Sequence, residues 1–351
     1  MSGKRFLFQV RNRRGLGHMM RGLNIARELR RIDPTADILF YMRSAPADGF
    51  WPDDINFVVE PDPEALSAWP SVLMTFRPDV VVYDTMLPKC PADEPVAANA
   101  RYAYIMRKCL ADEQREVFAN LFLDRMATII VPHEPAEFGY AVPSAIRART
   151  RFVGPIVRLP DQESQRMVRS RYLVPEGGFL LTSTVGGGGF DQQAEQFFAA
   201  VGDAHRRFAA VIPALRHVLV KGPNFKGRLA AMPGVTVVDV EPDMINLLAA
   251  SDLVVAEGGY NTVNEVRISK TPAVFMPSVR GKDNQEERVR KLEAAGFGRV
   301  IAPASGERLA AEVRELATTP GLLDEIRERY RGDNVMTGNR AAARQLWALL
   351  S

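Results

Sequence analysis

FLLTSTVGGGGF, residues Phe179 to Phe190, joins an apolar and β-branched run to four successive glycines, and a helix-like segment follows from Asp191. A turn of this kind gathers backbone N–H groups and a helix N-terminus around one point, an arrangement that suits a phosphate. DLVVAEGGYNTVNE, Asp252 to Glu265, repeats the design, running from a short strand through a glycine pair into a helix. Two such anion cradles point to one diphosphate held between two strand ends. Strand, glycine turn and helix in series also decide the fold class, because they are the repeating unit of a parallel α/β sheet.

Working outward, the same alternation covers the chain. Arg5 to Val10, Asp37 to Met42, Ile55 to Glu60, Asp79 to Asp84, Tyr102 to Met106 and Thr128 to Val131 read as strands. The consecutive valines of Asp79 to Asp84 predict a strand buried on both faces. Helical spacing runs through Met19 to Arg31, with Met20, Leu23, Ala26 and Leu29 apolar, and through Glu64 to Phe76. The pattern pauses at RFVGPIVRLPD, Arg151 to Asp161, passes through a polar helical stretch at Gln162 to Tyr172, and resumes at Phe179 to Thr184. Further strands follow at His217 to Lys221, Val235 to Val240, Asp252 to Ala256 and Ala273 to Met276. A linker near residue 155 therefore predicts two doubly wound, Rossmann-like α/β domains, 1–155 and 156–351, facing each other across a cleft. The last helix is free to pack back on the first domain.

Composition bounds the function. The 351 residues are 46% hydrophobic and 25% charged, ordinary for a globular protein with two cores. A net charge of +3 is too small to argue for nucleic acid. Basic charge is concentrated at the N-terminus, where Lys4, Arg5, Arg11, Arg13, Arg14, Arg21, Arg27 and Arg30 meet only Glu28 before Asp33. The two cysteines, Cys90 and Cys109, lack metal-like spacing, which favours reduced thiols over a zinc site or disulfide framework. No apolar run approaches the ~20 residues of a membrane span, and the N-terminus lacks the apolar core of a signal peptide. A cytoplasmic protein, at most peripheral to a membrane, is expected.

Asp252 to Glu287, DLVVAEGGYNTVNEVRISKTPAVFMPSVRGKDNQEE, resembles the donor-binding region of GT-B glycosyltransferases. It is similar to the lipid I N-acetylglucosaminyltransferases of family 28 and, more loosely, to the signature box of small-molecule UDP-glycosyltransferases. A bacterial branch of glycosyltransferases with a GGYNT core is similar as well. GLGHMMRGLNIARELR near the N-terminus, VGPIVR at the linker and TVGGGG after it fall in matching order. The resemblance implies the GT-B fold, with an acceptor-binding first domain and a donor-binding second domain. It further implies an inverting, metal-independent transfer of a sugar from a nucleotide diphosphate donor, a UDP-sugar, to an acceptor hydroxyl or amine, with no cofactor. A UDP-sugar hydrolase or 2-epimerase, or a non-catalytic nucleotide-sugar binding protein, are the alternatives on the same fold.

By the same resemblance His18, in a glycine-rich loop after the first strand, is the general base toward the acceptor, while a tight turn capping the helix is the structural alternative. Asp84 could orient its ring or cap a helix. Arg14, Gly17 and Arg21 are the acceptor-binding candidates, and RNRR at Arg11 to Arg14 would welcome an anionic or lipid-linked acceptor. Phe50, Trp51 and Trp69 could line that pocket or belong to the core. On the donor side Gly186, Gly187 and Gly188 (with Gly189) approach the diphosphate, and Thr184 adds a hydroxyl. Gly258 and Gly259 permit close backbone approach, Asn261 and Thr262 donate to phosphate, and Glu265, one turn on, accepts both ribose hydroxyls. Asn284, Gln285 and Glu286, with Asp283, are the sugar readers. Backbone groups in Val240 to Met244 hold the base. Arg158 either reaches the nucleotide or makes an interdomain ion pair. Glu257 departs from the pattern, since relatives carry His or Arg there and a carboxylate repels a diphosphate unless it faces away.

Overall fold

The computed structural model describes residues 3–11, 16–46, 51–62, 66–90, 92–188, 190–281 and 283–351. They fall into two units, Met1–Val157 with Met336–Ser351, and Arg158–Val335.

In the first unit the order is β1 (Arg5–Val10), α1 (Gly17–Ile32), β2 (Asp37–Met42), β3 (Asn56–Val59), α2 (Trp69–Phe76), β4 (Val80–Asp84), β5 (Arg101–Ile105) and α3 (Ala111–Ala119). There follow β6 (Met126–Val131), the short helices α4 (Pro135–Phe138) and α5 (Ser144–Arg147), and β7 (Thr150–Phe152). The sheet has seven strands in the order β3-β2-β1-β4-β5-β6-β7. All pairs are parallel, with Phe6 beside Val80 and Val10 beside Asp84. Every residue of β4 is buried, as helices on both faces require of a Val-rich strand. Helix α1 lies close on the sheet at Gly22, where a Cβ would meet the Phe40 ring at 2.6 Å. Trp69 is fully buried in the core, and Trp51 packs at the edge of a second cluster.

The second unit contains α6 (Gln162–Arg171), β8 (Leu180–Thr184), α7 (Asp191–Phe208), β9 (Arg216–Val220), β10 (Val235–Val238), α8 (Met244–Ala250), β11 (Leu253–Ala256) and α9 (Tyr260–Ser269). It continues with β12 (Ala273–Phe275), α10 (Gln285–Ala294), β13 (Gly298–Val300), α11 (Gly306–Thr318) and α12 (Leu322–Arg331). Its six-stranded parallel sheet runs β10-β9-β8-β11-β12-β13. The last helix, α13 (Asn339–Trp347), belongs to the first unit. Ala342, Ala343 and Leu346 bury beside Leu23 and Ala26 of α1, and Trp347 stacks on Phe6 at 6.0 Å. Apolar surface on α1 that a division at residue 155 leaves open is covered this way, so the tail joins residues distant in sequence.

Three differences from the sequence pattern have local causes. Helix α1 begins at Gly17 rather than Met19, which puts His18 in its first turn and not in a loop. The strands β7 and β13 have three residues each, too few to show a period. Helix α2 starts at Trp69, with residues 63–65 outside the described set. Among the described residues no helix is long and apolar enough to cross a membrane.

Candidate functional site

Each sheet reverses its winding direction beside its first strand, between β1 and β4 in one unit and between β8 and β11 in the other. Loops leaving the carboxyl ends of such strands diverge there and open a crevice, the usual ligand position in doubly wound sheets. The sequence candidates gather at these two points.

At the first, β1 leads to His18 in the opening turn of α1, and β4 ends on Asp84. His18 Nδ1 lies 3.3 Å from Asp84 Oδ1, with the imidazole 25% exposed and the carboxylate closed off from water. Arg21, one turn along α1, is 2% exposed. Its Nε donates to Asp84 Oδ2 at 3.2 Å, and its Nη2 donates to Asp84 Oδ1 at 2.5 Å and to Thr85 Oγ1 at 3.0 Å. Those two oxygens take both hydrogens of Nη2, so His18 Nδ1, 3.1 Å from it, is left to donate to Asp84. Nε2 then keeps its lone pair, the state a base needs. Burial pushes the His18 ring below its ordinary value, Asp84 partly holds it up, and Arg21 and Arg107 press it down further. Burial alone raises the Asp84 carboxyl, but Arg21 and His18 outweigh it and hold it well below the usual carboxylate range.

Thr85 closes the cluster in a left-handed conformation, φ 66°, which a β-branched residue adopts only under constraint. The constraint is visible: its N–H donates to Ile105 O at 2.9 Å, its carbonyl accepts from Tyr104 Oη at 2.8 Å, and its hydroxyl donates to Asp84 Oδ1 at 2.8 Å. Arg21, an acceptor-binding candidate, thus has its guanidinium buried against Asp84 and Thr85, where it orders the His18–Asp84 pair. Gly17 opens α1, and Arg14 lies outside the described residues.

At the second switch point the glycine loop after β8 is pressed between two neighbours. Gly186 and Gly188 have φ of 70° and 74°, and a Cβ on Gly188 would meet Lys221 O at 2.6 Å. A Cβ on Gly186 would stand 3.2 Å from Thr262 Oγ1, so this loop and the start of α9 converge. Gly187 O accepts from Asn224 N at 3.1 Å, and Thr184 Oγ1 accepts from Gly186 N at 3.0 Å, an internal brace. Helix α9 has Gly259 as N-cap, no side-chain cap and no acidic residue in its first turn, which leaves its N-terminal amide charge uncompensated. Asn261 and Thr262 lie in that turn. Glu265 is partly buried one turn later on the Asn261 face, and burial pushes its carboxyl up to about 7.

Other candidates serve local structure. The side-chain face of Gly258 is filled by α10, with Val289 Cγ1 and Gln285 Cβ at 2.9 and 3.1 Å from a Cβ placed there, so this glycine serves packing. Asn284 caps α10 by accepting from Glu287 N at 3.0 Å. Gln285, 5% exposed, accepts from Ser278 N at 3.1 Å and pins the preceding loop. Glu286 pairs with Arg290 in solvent at 3.4 Å, and Asp283 pairs with Arg288. Arg158 meets Asp243 at 3.1 Å inside the second unit, so it is not an interdomain pair. In the 240–244 loop Glu241 is 4% exposed and accepts from Arg171, from Tyr172 Oη and, at 2.9 Å, from Asp243 N.

Sequence reasoning missed Arg280, in the loop after β12. Its Nη2 pairs with Glu257 Oε2 at 2.5 Å and its guanidinium lies 3.9 Å from the Phe190 ring centroid. In the sequence Arg280 stands 23 residues from Glu257, so no local signal joined the two.

Residues 184–328 match the glycosyltransferase family 28 C-terminal domain. This stretch contains the glycine loop, α9 and Arg280. Over 272 residues the chain is 28% identical to the UDP-N-acetylglucosamine–N-acetylmuramyl-(pentapeptide) pyrophosphoryl-undecaprenol N-acetylglucosamine transferase of Symbiobacterium thermophilum, covering 72% of this chain and 66% of that one. The Corynebacterium efficiens transferase of the same name is 32% identical over 107 residues, 30% of each chain. The chain thus spans less than two thirds of these relatives' length. An uncharacterized glycosyltransferase of Methanosarcina acetivorans is 23% identical over 78% of this chain and 74% of its own. Among solved structures, the spinosyn forosaminyltransferase superposes with a TM-score of 0.67 at 14% identity, and the glycotransferase of kitacinnamycin with 0.65 at 18%, each covering 100% of both chains. Two Rossmann-like α/β units, superposing over their whole length on these glycosyltransferases, are the GT-B fold.

Proposed function

We propose that the chain is an inverting, metal-independent glycosyltransferase that uses a UDP-sugar and an acceptor hydroxyl or amine. The observation that carries this is the His18–Asp84 pair at the first switch point, 3.3 Å apart, in a chain whose residues 184–328 match the family 28 C-terminal domain. Asp84 holds Nδ1–H, and Nε2 removes the acceptor proton as the acceptor atom bonds to the anomeric carbon. The bond from that carbon to the diphosphate oxygen breaks in the same step, and one displacement inverts the centre. In the second unit Glu265 takes the ribose hydroxyls, and the α9 N-terminus with the glycine loop takes the diphosphate.

Incubating the pure protein with UDP-sugars, with and without a cell extract as acceptor source, and following both substrate and products by mass spectrometry tests this. Sugar appearing on an extract component supports transfer. Free sugar as the main product points to hydrolysis, and an altered UDP-sugar to epimerisation. An intact UDP-sugar together with no UDP binding would overturn the proposal.

A further inference from the structure

Three loops of the second unit meet at one side chain. Arg280 leaves the carboxyl end of β12, its guanidinium lies 3.9 Å from the ring centroid of Phe190, the N-cap of α7, and it pairs at 2.5 Å with Glu257, which leaves β11. These strands are neighbours in the order β8-β11-β12, and the pair stands beside Gly258 and Gly259 at the start of α9. The pair is closed off from water, with side-chain exposures of 11% for Arg280 and 4% for Glu257. It is also half satisfied. Among the described residues Arg280 Nη1 and Glu257 Oε1 are both buried without a hydrogen-bond partner.

A buried guanidinium with spare N–H capacity is costly unless something completes it, and such groups mark ligand positions. Phe190 holds the guanidinium plane by cation–π contact, so it is set before a ligand arrives. What completes it is an acceptor with several oxygens, and the uncapped α9 N-terminus alongside calls for negative charge. Glu257 is then an internal anion in a seat that an external one would take.

We propose that Arg280 is the cation that binds the donor's diphosphate, and that Glu257 holds it in place in the empty site and competes with the ligand for it. This rests on the family 28 domain being the donor domain. Strand order explains why the cation is in the loop after β12: the residue next to the glycine pair is already a carboxylate, and its neutralising partner comes from the loop after the neighbouring strand. Burial raises the Glu257 carboxyl and Arg280 draws it back, in keeping with a carboxylate that the site tolerates only as half of a pair.

Calorimetry on the full chain with UDP and with uridine tests it. Arg280→Met, which keeps the bulk over Phe190, should weaken UDP by ~10- to 100-fold, the range for a lost charge-assisted bond, and leave uridine unchanged. Glu257→Gln should tighten UDP by about 3- to 10-fold by releasing the guanidinium. The double variant decides the matter. If Arg280 only neutralises Glu257, removing both restores wild-type UDP affinity and overturns the proposal; if Arg280 touches the diphosphate, the double variant stays as weak as Arg280→Met. Should Arg280→Met fail to fold because Glu257 is left unpaired, the double variant, which buries no charge, still carries the test. Wild type that binds uridine and UDP equally overturns the proposal while sparing the nucleoside site. Wild type that binds neither sinks the donor domain and the proposal together.

Discussion

Replacing Glu265 by Gln should make the unliganded protein more stable and its nucleotide binding worse. The carboxyl is partly buried on α9, and burial lifts it from its ordinary 4.5 to about 7. A folded-state value above the unfolded one means the fold prefers the protonated form. The cost of ionisation is therefore absent below pH 4.5, grows as pH rises toward 7, and is complete above it. At 1.36 kcal/mol per pK unit the ceiling is ~3 kcal/mol, and residual solvent contact cuts the expected gain on neutralisation to ~1–2 kcal/mol. Urea unfolding of wild type and Glu265→Gln should thus differ at pH 8 by that amount and coincide near pH 4.5. The same substitution exchanges a charged acceptor for a neutral one toward the ribose, which should weaken UDP by ~1.5–3 kcal/mol in calorimetry. Destabilisation at pH 8 would show that the carboxylate is paired in the fold, and unchanged UDP affinity would show that it does not meet the ribose. Either result refutes the reasoning.

Burial and the neighbouring His205 push His217 down to about 3, so the fold holds it neutral. Its contribution is intact above pH 6.5 and is lost as pH falls toward 3, and His217→Gln should reduce the stability difference between pH 7 and pH 4.5 by ~2–3 kcal/mol, read from urea midpoints at the two pH values. Transfer, once an acceptor is in hand, should survive EDTA, since backbone amides, a helix N-terminus and Arg280 meet the diphosphate charge; activity lost to EDTA and restored by magnesium would contradict this.

The strands were legible wherever apolar runs exceeded four residues, because a sheet covered by helices buries both faces and Val80–Asp84 advertises that. Of the three-residue strands, β12 lies in the apolar run Ala273 to Met276, whereas β7 and β13 are interrupted by Arg151 and Arg299 and depend on neighbours already in place. His18 and Asp84 were readable as candidates, with Asp84 orienting the ring as one of its two readings, and their contact across 66 residues follows from β1 and β4 adjoining. The burial of Arg21 was not legible. A basic residue on the opening turns of a helix looks solvent-facing, and only the Asp84 carboxylate beneath α1 turns it inward. Asn284 also follows a local rule, since an Asn three residues before an amide donor caps a helix whatever else it does. Glu257 was recognised as anomalous, but its partner Arg280 lies in the loop after the neighbouring strand, and strand adjacency is a property of the fold.

The most direct test of glycosyl transfer with His18 as base is the rate at which wild type and His18→Ala release UDP from a UDP-sugar, with UDP affinity measured on the same preparations. Turnover should fall by ~10²- to 10⁴-fold with UDP affinity unchanged. The wild-type rate should decline on the acid side at a pH below 6.5, because burial holds the imidazole neutral there. A His18→Ala variant that keeps near-normal turnover would contradict the assignment of the base and, with it, the mechanism.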